Sequence, residues 1–546
     1  MQAETEQKSD RLMTNAQRWL DRVEEWLQPF GDRLNPILVK EARQSLKSRQ
    51  FVVTFSLLLI AGWAWSLIGV ISQMPDIYYA PSGLMLLGGY YFILGVPLLL
   101  IVPFTSYRSL AGEREDGTYE LLSISTLTSR QIVTGKLGSS LLQMMVYYSA
   151  LAPCIAFTYL LRGVDLITVG LLLAWTFCIS VLLSSLGLVF AGMTRSRHWH
   201  VLVSVVLLIA LVIFGFVWAI FFFETIGRGF SDLPLDDAGF WYAQLALLTA
   251  WATYLYLFIA IAASQNSFAS DNRSTRIRTA LFVQTACYLG WAVVGWTSFG
   301  DVEFWIVALI VGGFHWAVYG ILLTGENAVL SPRVRRQLPQ SFLGRMFLTW
   351  FNPGSGTGYA FAVGQMLLLC GTAYGLVLTQ DLFGIPVGNG RGTNDHYELY
   401  VFALLLVSYY VIYLGATRLV IILVKHRERF GLVLPTLLHL LALLAGAALP
   451  FVYESWRNRF NVFTYSRLQS INWFWTLEEA VEGNITDLSI VIGLGMVAVF
   501  VLAANLIVIR REVEATRVAA PKRVLDDEQP AEAVTELVDP LGFSEA

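Results

Sequence analysis

Charge is scarce in this chain. Asp, Glu, Lys and Arg make up only 14% of its 546 residues, against 56% hydrophobic residues, which is well short of the charge an ordinary soluble domain carries. A soluble chain of this length would split into several domains, and none could keep so much apolar surface out of water. The mean hydropathy of +0.59 therefore points to lipid as the main solvent. Cysteine is just as sparse. The four cysteines, Cys154, Cys178, Cys287 and Cys370, fall within apolar runs, which excludes a disulfide framework and a paired CxxC metal site and leaves lipid-facing or packing roles.

Other absences narrow the chemistry. Six histidines are scattered, with His198 and His200 the closest pair, and no HExxH spacing suggests a metal site. No GxSxG elbow supports a catalytic serine. No GxxxxGK[ST] phosphate loop occurs: Gly135-Lys136 lacks the upstream glycine and the following hydroxyl residue, so ATP must bind elsewhere. The run Gly354-Ser355-Gly356-Thr357-Gly358 has no strand before it and reads as a flexible hinge. Carriers driven by protons or sodium place acidic residues or broken helices near the bilayer midplane, and the apolar runs here contain almost none. Arg418 sits near one end of its helix and is expected to snorkel. Any transport must draw its energy from outside the chain.

What the sequence has is length of apolar run. A bilayer core needs about 20 apolar helical residues, and twelve such runs occur, near 51–72, 83–105, 138–160, 167–192, 201–223, 240–263, 279–299, 303–324, 359–380, 399–424, 430–452 and 486–510. The fold class is an all-α polytopic membrane protein. Basic residues cluster in alternate loops, about thirty on one side against about six on the other, so the positive-inside rule puts both termini in the cytoplasm. The net charge of -3 adds nothing, because its distribution between loops decides orientation. The polar first 50 or so residues do not resemble a cleavable signal peptide.

Amphipathic segments border the spans. In residues 1–34, Leu12, Trp19, Val23, Trp26 and Phe30 share a helical face opposite Arg18, Arg22 and Glu25, as in a helix lying in the interface. A second helix starts at Asn35-Pro36, an N-cap followed by proline at the first helical position. Its apolar stripe of Leu38, Val39, Ala42 and Leu46 faces away from Lys40, Arg43 and Lys47, which suits an anionic membrane surface; docking on another segment is the alternative. Aromatics in 453–485, among them Trp456, Trp473, Phe474 and Trp475, suit an external interfacial belt. The acidic tail after Arg511 is expected to be disordered.

Between the second and third runs lies a cytoplasmic connection of about 30 residues, long for a loop without a task. Tyr107, Leu110, Ala111, Arg114, Thr118, Leu121 and Leu122 fall on one helical face, and Glu113, Asp116 and Glu120 on the other. Such a helix can dock in a partner's groove. The run Glu113-Arg114-Glu115-Asp116-Gly117-Thr118-Tyr119-Glu120-Leu121-Leu122, followed by a segment ending Gly135-Lys136, resembles the ERExGT...LL...GK signature of ABC-2 type ABC transporter permeases. Asn35-Pro36-Ile37-Leu38-Val39-Lys40-Glu41 resembles that family's NPxxxKE approach to the first span. The family's proline after the leucine pair is replaced by Ser125-Thr126-Leu127-Thr128.

The resemblance implies a permease core over 35–263: an interfacial helix (Asn35, Pro36, Lys40, Glu41, Arg43, Lys47), six spans, and an ATPase-coupling helix over about 107–124. Glu113, Arg114, Glu115, Asp116, Gly117, Thr118, Glu120, Leu121, Leu122, Gly135 and Lys136 would form the coupling site. It further implies an inner-membrane protein that is not itself an enzyme and binds no cofactor, with ATP and Mg held by a separate ABC ATPase subunit. Other partners would be the bilayer and a homodimer mate or second permease, and no nucleic acid. Residues 264–510 form a second membrane bundle of about six spans, either a diverged repeat, since Asn352-Pro353 also precedes a span, or a fused accessory bundle. The alternatives in function are a non-transporting membrane scaffold driven by an ABC ATPase and, with less support, a membrane enzyme acting on lipid-linked substrates.

Overall fold

A computed structural model describes residues 35–119, 127–193, 197–227, 233–268, 271–299, 302–326, 348–379, 394–425, 433–459 and 465–517. Regular structure among them is helical, without strands. Twelve helices are long and apolar enough to cross a membrane, and each coincides with one of the expected runs. The chain is an all-α polytopic membrane protein. It divides into two compact units, 1–241 with 254–266, and 242–253 with 267–546.

In the first unit, a surface helix α1 (Pro36–Leu46) precedes α2 (Arg49–Ser72). The second span, α3 (Gly83–Glu115), is a single helix of 33 residues. It is about 50 Å long, some 20 Å more than the hydrocarbon it must cross. Pro97 cannot donate a backbone hydrogen bond, and a π-turn over Pro97–Ile101 absorbs the defect. The Ser180 hydroxyl of α5 (Leu166–Met193) donates to the Leu98 carbonyl at this break, as buried backbone in lipid demands. Between them lies α4 (Ser129–Leu160), and the unit continues with α6 (Arg197–Gly227) and the two ends of α7 (Ala238–Gln265), whose residues 242–253 group with the second unit. Small hydroxyl residues line the contacts among α3, α4 and α5, including Ser106 against Ser140, which lets the helices approach closely where no hydrophobic force distinguishes protein from lipid. Outside the spans, Asp165 accepts from the amide and hydroxyl of Thr168, each at 2.9 Å, and these bonds hold its carboxyl below the usual carboxylate range.

The second unit contains α8 (Thr275–Phe299), α9 (Val302–Thr324), α10 (Ser355–Leu378), α11 (Asn394–Lys425), α12 (Val433–Arg457), the short α13 (Trp473–Val481) and α14 (Leu488–Arg517). Three expectations fail here. Arg418 does not snorkel: it is fully buried and donates to Asn505 Oδ1 at 2.7 Å and Glu512 Oε1 at 2.6 Å. Glu512 lies in what reads as a disordered tail, but α14 continues through it to Arg517, because the ion pair and packing hold a polar turn that composition alone would release. Nor is the glycine-rich run a free hinge. Gly356 donates its amide to Glu512, and Arg278 donates to the Gly354 carbonyl while pairing with Glu326 at 2.6 Å. Two buried arginine–glutamate pairs thus clamp the start of α10. The amphipathic reading of residues 1–34, and the tail after residue 517, lie outside the described residues.

Candidate functional site

Three segments far apart in sequence meet at one end of the first unit. α1 starts as expected, with the Asn35 side chain accepting from the Ile37 amide and Pro36 in the first turn. The same side chain donates to the Gln131 carbonyl on α4. α1 lies along α4, with Ile37 and Ala42 buried, Ser45 meeting the Ser139 hydroxyl at 3.1 Å, and Val39 left exposed. Of the expected stripe, Ala42 is buried, Leu38 and Leu46 are half-buried and Val39 is exposed, so part of it docks on α4. Gly135 permits the contact: a Cβ there would come within 2.9 Å of Asn35 Nδ2 and of the Ile37 side chain, closer than real side chains pack.

Lys136, one residue on, occupies the centre. Its side chain is 1% exposed, and the ammonium donates to Glu41 Oε1 at 3.0 Å and to the Ser109 carbonyl at 3.1 Å, with Glu113 Oε2 at 2.9 Å. Lys40 approaches Glu113 from the exposed side at 3.7 Å. Two cations and two carboxylates therefore balance. A buried ammonium is tolerable only when oxygens surround it in this way. One lysine of α4 thereby ties α1 to α3.

Arg114, the next residue of α3, turns to the other side. It donates to the Gly192 carbonyl at 3.0 Å, the Gln265 carbonyl at 3.4 Å and Asn266 Oδ1 at 2.6 Å. Gly192 lies in the last turn of α5 and Gln265 ends α7. Carbonyls at helix C-termini lack intrahelical partners and carry the negative end of the dipole, so one planar guanidinium caps two helices. Its carbon also lies 5.3 Å from the centre of the Tyr119 ring. The Asn266 carbonyl accepts from Tyr119 at 2.7 Å and Ser129 at 3.1 Å, so both flanks of the connection between α3 and α4 are tied to one residue.

The connection departs from the expected separate helix over 107–124. Residues 107–115 are the end of α3, and Tyr107, Leu110 and Ala111 are buried within the unit. Tyr107 donates to the His200 carbonyl at 2.9 Å. Tyr107, Leu110 and Ala111, the first part of the stripe expected to enter a partner's groove, are instead packed inside the unit, because α3 continues to Glu115 rather than ending with its apolar run. Gly117 then breaks the helix with φ of 69°, a left-handed conformation that glycine adopts without strain, and helix resumes at Thr118 and Tyr119. Glu115, Asp116, Gly117 and Thr118 are exposed, and neither acid makes an ion pair among the described residues. Glu120, Leu121 and Leu122 lie outside the described residues. Thr128 closes the connection with a capping box to Gln131 that starts α4.

The result is a knuckle with exposed acids at 115 and 116, held at its base by the buried Lys136 and the half-buried Arg114. Arg43 and Lys47 are exposed on α1. Sequence reasoning missed Asn266, Ser109 and Gly192, since no motif marks an asparagine after a span or a carbonyl at a helix end. No protein family, no curated protein and no solved structure matches the chain.

Proposed function

We propose that this chain is the membrane-spanning subunit of an ABC-2 type transporter, moving a substrate when a separate ATPase subunit binds and hydrolyses ATP with Mg. One observation carries the reading. The three stretches that resemble the family's signature, around Glu41, Glu113 and Lys136, converge on a single ammonium. A chance likeness in sequence would not require those residues to meet. The exposed tip at 115–118, on a base fixed to α1, α4, α5 and α7, has the construction of a lever: a force on the tip is delivered to the ends of several spans.

On this reading the tip faces the cytoplasm, both termini lie there, and the protein sits in the inner membrane. ATP hydrolysis belongs to the partner, consistent with the lack of a phosphate loop in this sequence. A path across the membrane would be lined by two six-span assemblies, from a second copy, a related permease or the chain's own halves. Charges at the tip would set the register and specificity of docking more than its strength.

The test is purification of the tagged chain from its native membrane, with Mg-dependent ATP hydrolysis measured in the eluate and after reconstitution in vesicles. The proposal expects an ABC ATPase subunit to co-purify, and expects Glu115→Arg with Asp116→Arg to remove it while the chain still inserts. Eluates without ATPase, or a doubly reversed variant that retains it, would refute the reading.

A further inference from the structure

The second unit holds a half-open apolar crevice of about 540 Å³, walled by α9, α11 and α12 and covered at one end by α13. On α11 its lining runs from Phe402 to Leu414, about 18 Å along a helix axis. Spread over about 18 Å, that volume gives a cross-section of about 30 Å². Methylene chains touch neighbouring carbons at about 3.5–4.0 Å, so an apolar groove of this length and volume has room for a hydrocarbon chain lying lengthwise.

The ends of the crevice differ. At one end His439 is fixed, with Nδ1 2.8 Å from the Pro435 carbonyl and Nε2 3.3 Å from Thr324 Oγ1. At the other, α13 turns Trp473, Phe474, Leu477 and Val481 towards the cavity, and the Trp473 indole donates to the Leu443 carbonyl at 3.0 Å, which anchors the cover to α12. The tyrosine hydroxyls along the wall are already bonded: Tyr410 donates to the Trp316 carbonyl, and Tyr409 to that of Ser470. They present rings to the cavity and leave its polarity low. The one charged side chain among the described lining residues is Glu478, on α13 at the covered end. It is exposed and makes no ion pair among the described residues.

The geometry points to a lipid-binding site: one acyl chain of a phospholipid lies in the crevice, and its primary-amine headgroup sits against the Glu478 carboxylate. The bilayer is itself apolar, so burying the chain here gains little over leaving it in lipid. Selectivity must come from shape and from charge, which is where the exposed carboxylate at the α13 end favours an ammonium over an anionic headgroup. This site does not depend on the ATPase reading.

The experiment uses the full chain in nanodiscs containing phosphatidylethanolamine with a diazirine near the acyl terminus, and maps the photo-adducts by mass spectrometry. Adducts are expected on α11 and α12 peptides around Phe402, Leu406 and Leu443, at least about ten-fold above the lipid-facing surface of α2. Ala317→Phe, which fills the crevice, should remove them. Leu443→Trp is the second filling variant should the first not fold. Glu478→Gln should remove the advantage of phosphatidylethanolamine over phosphatidylglycerol in competition. Adducts spread evenly over all spans, unchanged labelling in a folded filling variant, or equal competition by both lipids against the wild type would each overturn the assignment.

Discussion

Lys136 and Glu41 are separated by 95 positions in the chain and by 3.0 Å between their charged atoms. With Glu113 at 2.9 Å from the same ammonium, the pair makes a buried charge cluster the joint between a surface helix, the long second span and the third. Energetically such a joint contributes modestly when complete and costs heavily when broken, because desolvation has already been incurred by every member.

Replacing Lys136 alone therefore does more harm than replacing the whole cluster. Lys136→Met leaves Glu41 and Glu113 with only the exposed Lys40 nearby, 3.7 Å from Glu113, and should cost about 3–5 kcal/mol. The triple variant that adds Glu41→Gln and Glu113→Gln should recover most of that loss. Unfolding of the purified protein in a mixed-micelle denaturant series checks both. A triple variant no better than the single one would show that the lysine acts through packing rather than charge.

Gly135 is a contact point between α1 and α4. A methyl group there would sit 2.9 Å from Asn35 Nδ2 and from the Ile37 side chain, so Gly135→Ala should lift the start of α1 and cost about 1–3 kcal/mol, as overpacking does. Hydrogen exchange at residues 37–47 should rise by at least about ten-fold, corresponding to about 1.4 kcal/mol, while exchange in α8 to α14 stays unchanged. Unaltered protection of α1 would mean that this helix is held by its lipid face.

Arg114 bridges the ends of α5 and α7 through a planar fork, a geometry that a lysine cannot reproduce. Arg114→Lys should therefore behave nearly like Arg114→Ala, each losing about 1.5–3 kcal/mol for hydrogen bonds made by a charged donor. The readout is hydrogen exchange at 118–119 and 127–130, which should accelerate in both variants because Tyr119 and Ser129 lose a fixed Asn266. Full retention of protection by the lysine variant would reduce Arg114 to a generic surface cation.

The twelve spans were legible because apolar run length is a direct consequence of hydrocarbon thickness. Their ends were less so. α3 continues to Glu115 and α4 begins at Ser129, well before the apolar run at 138. Beyond the bilayer, hydropathy no longer reports helix, and the signals are local ones such as the Thr128 capping box. Charge pairing was the least legible feature. Arg418 read as a snorkelling residue because its partner Glu512 lies 94 positions away, in a segment whose composition suggested disorder. At the candidate site, Glu113, Arg114 and Lys136 could be singled out by motif, but their roles could not. All three act as structural ties, and the exposed surface falls to Glu115, Asp116 and Thr118. That distinction depends on the phase of a helix that passes through the membrane surface, which a local periodicity does not fix.

On the proposed reading, the exposed residues 115–118 are a cytoplasmic docking surface for an ATPase. This is tested most directly by placing a cysteine at the tip with Thr118→Cys and treating sealed membrane vesicles with a membrane-impermeant maleimide. The account predicts labelling in inside-out vesicles and none in right-side-out ones, with labelling suppressed at least about ten-fold when the ATPase subunit is bound. Labelling from the external side, or equal labelling with and without that subunit, would contradict it.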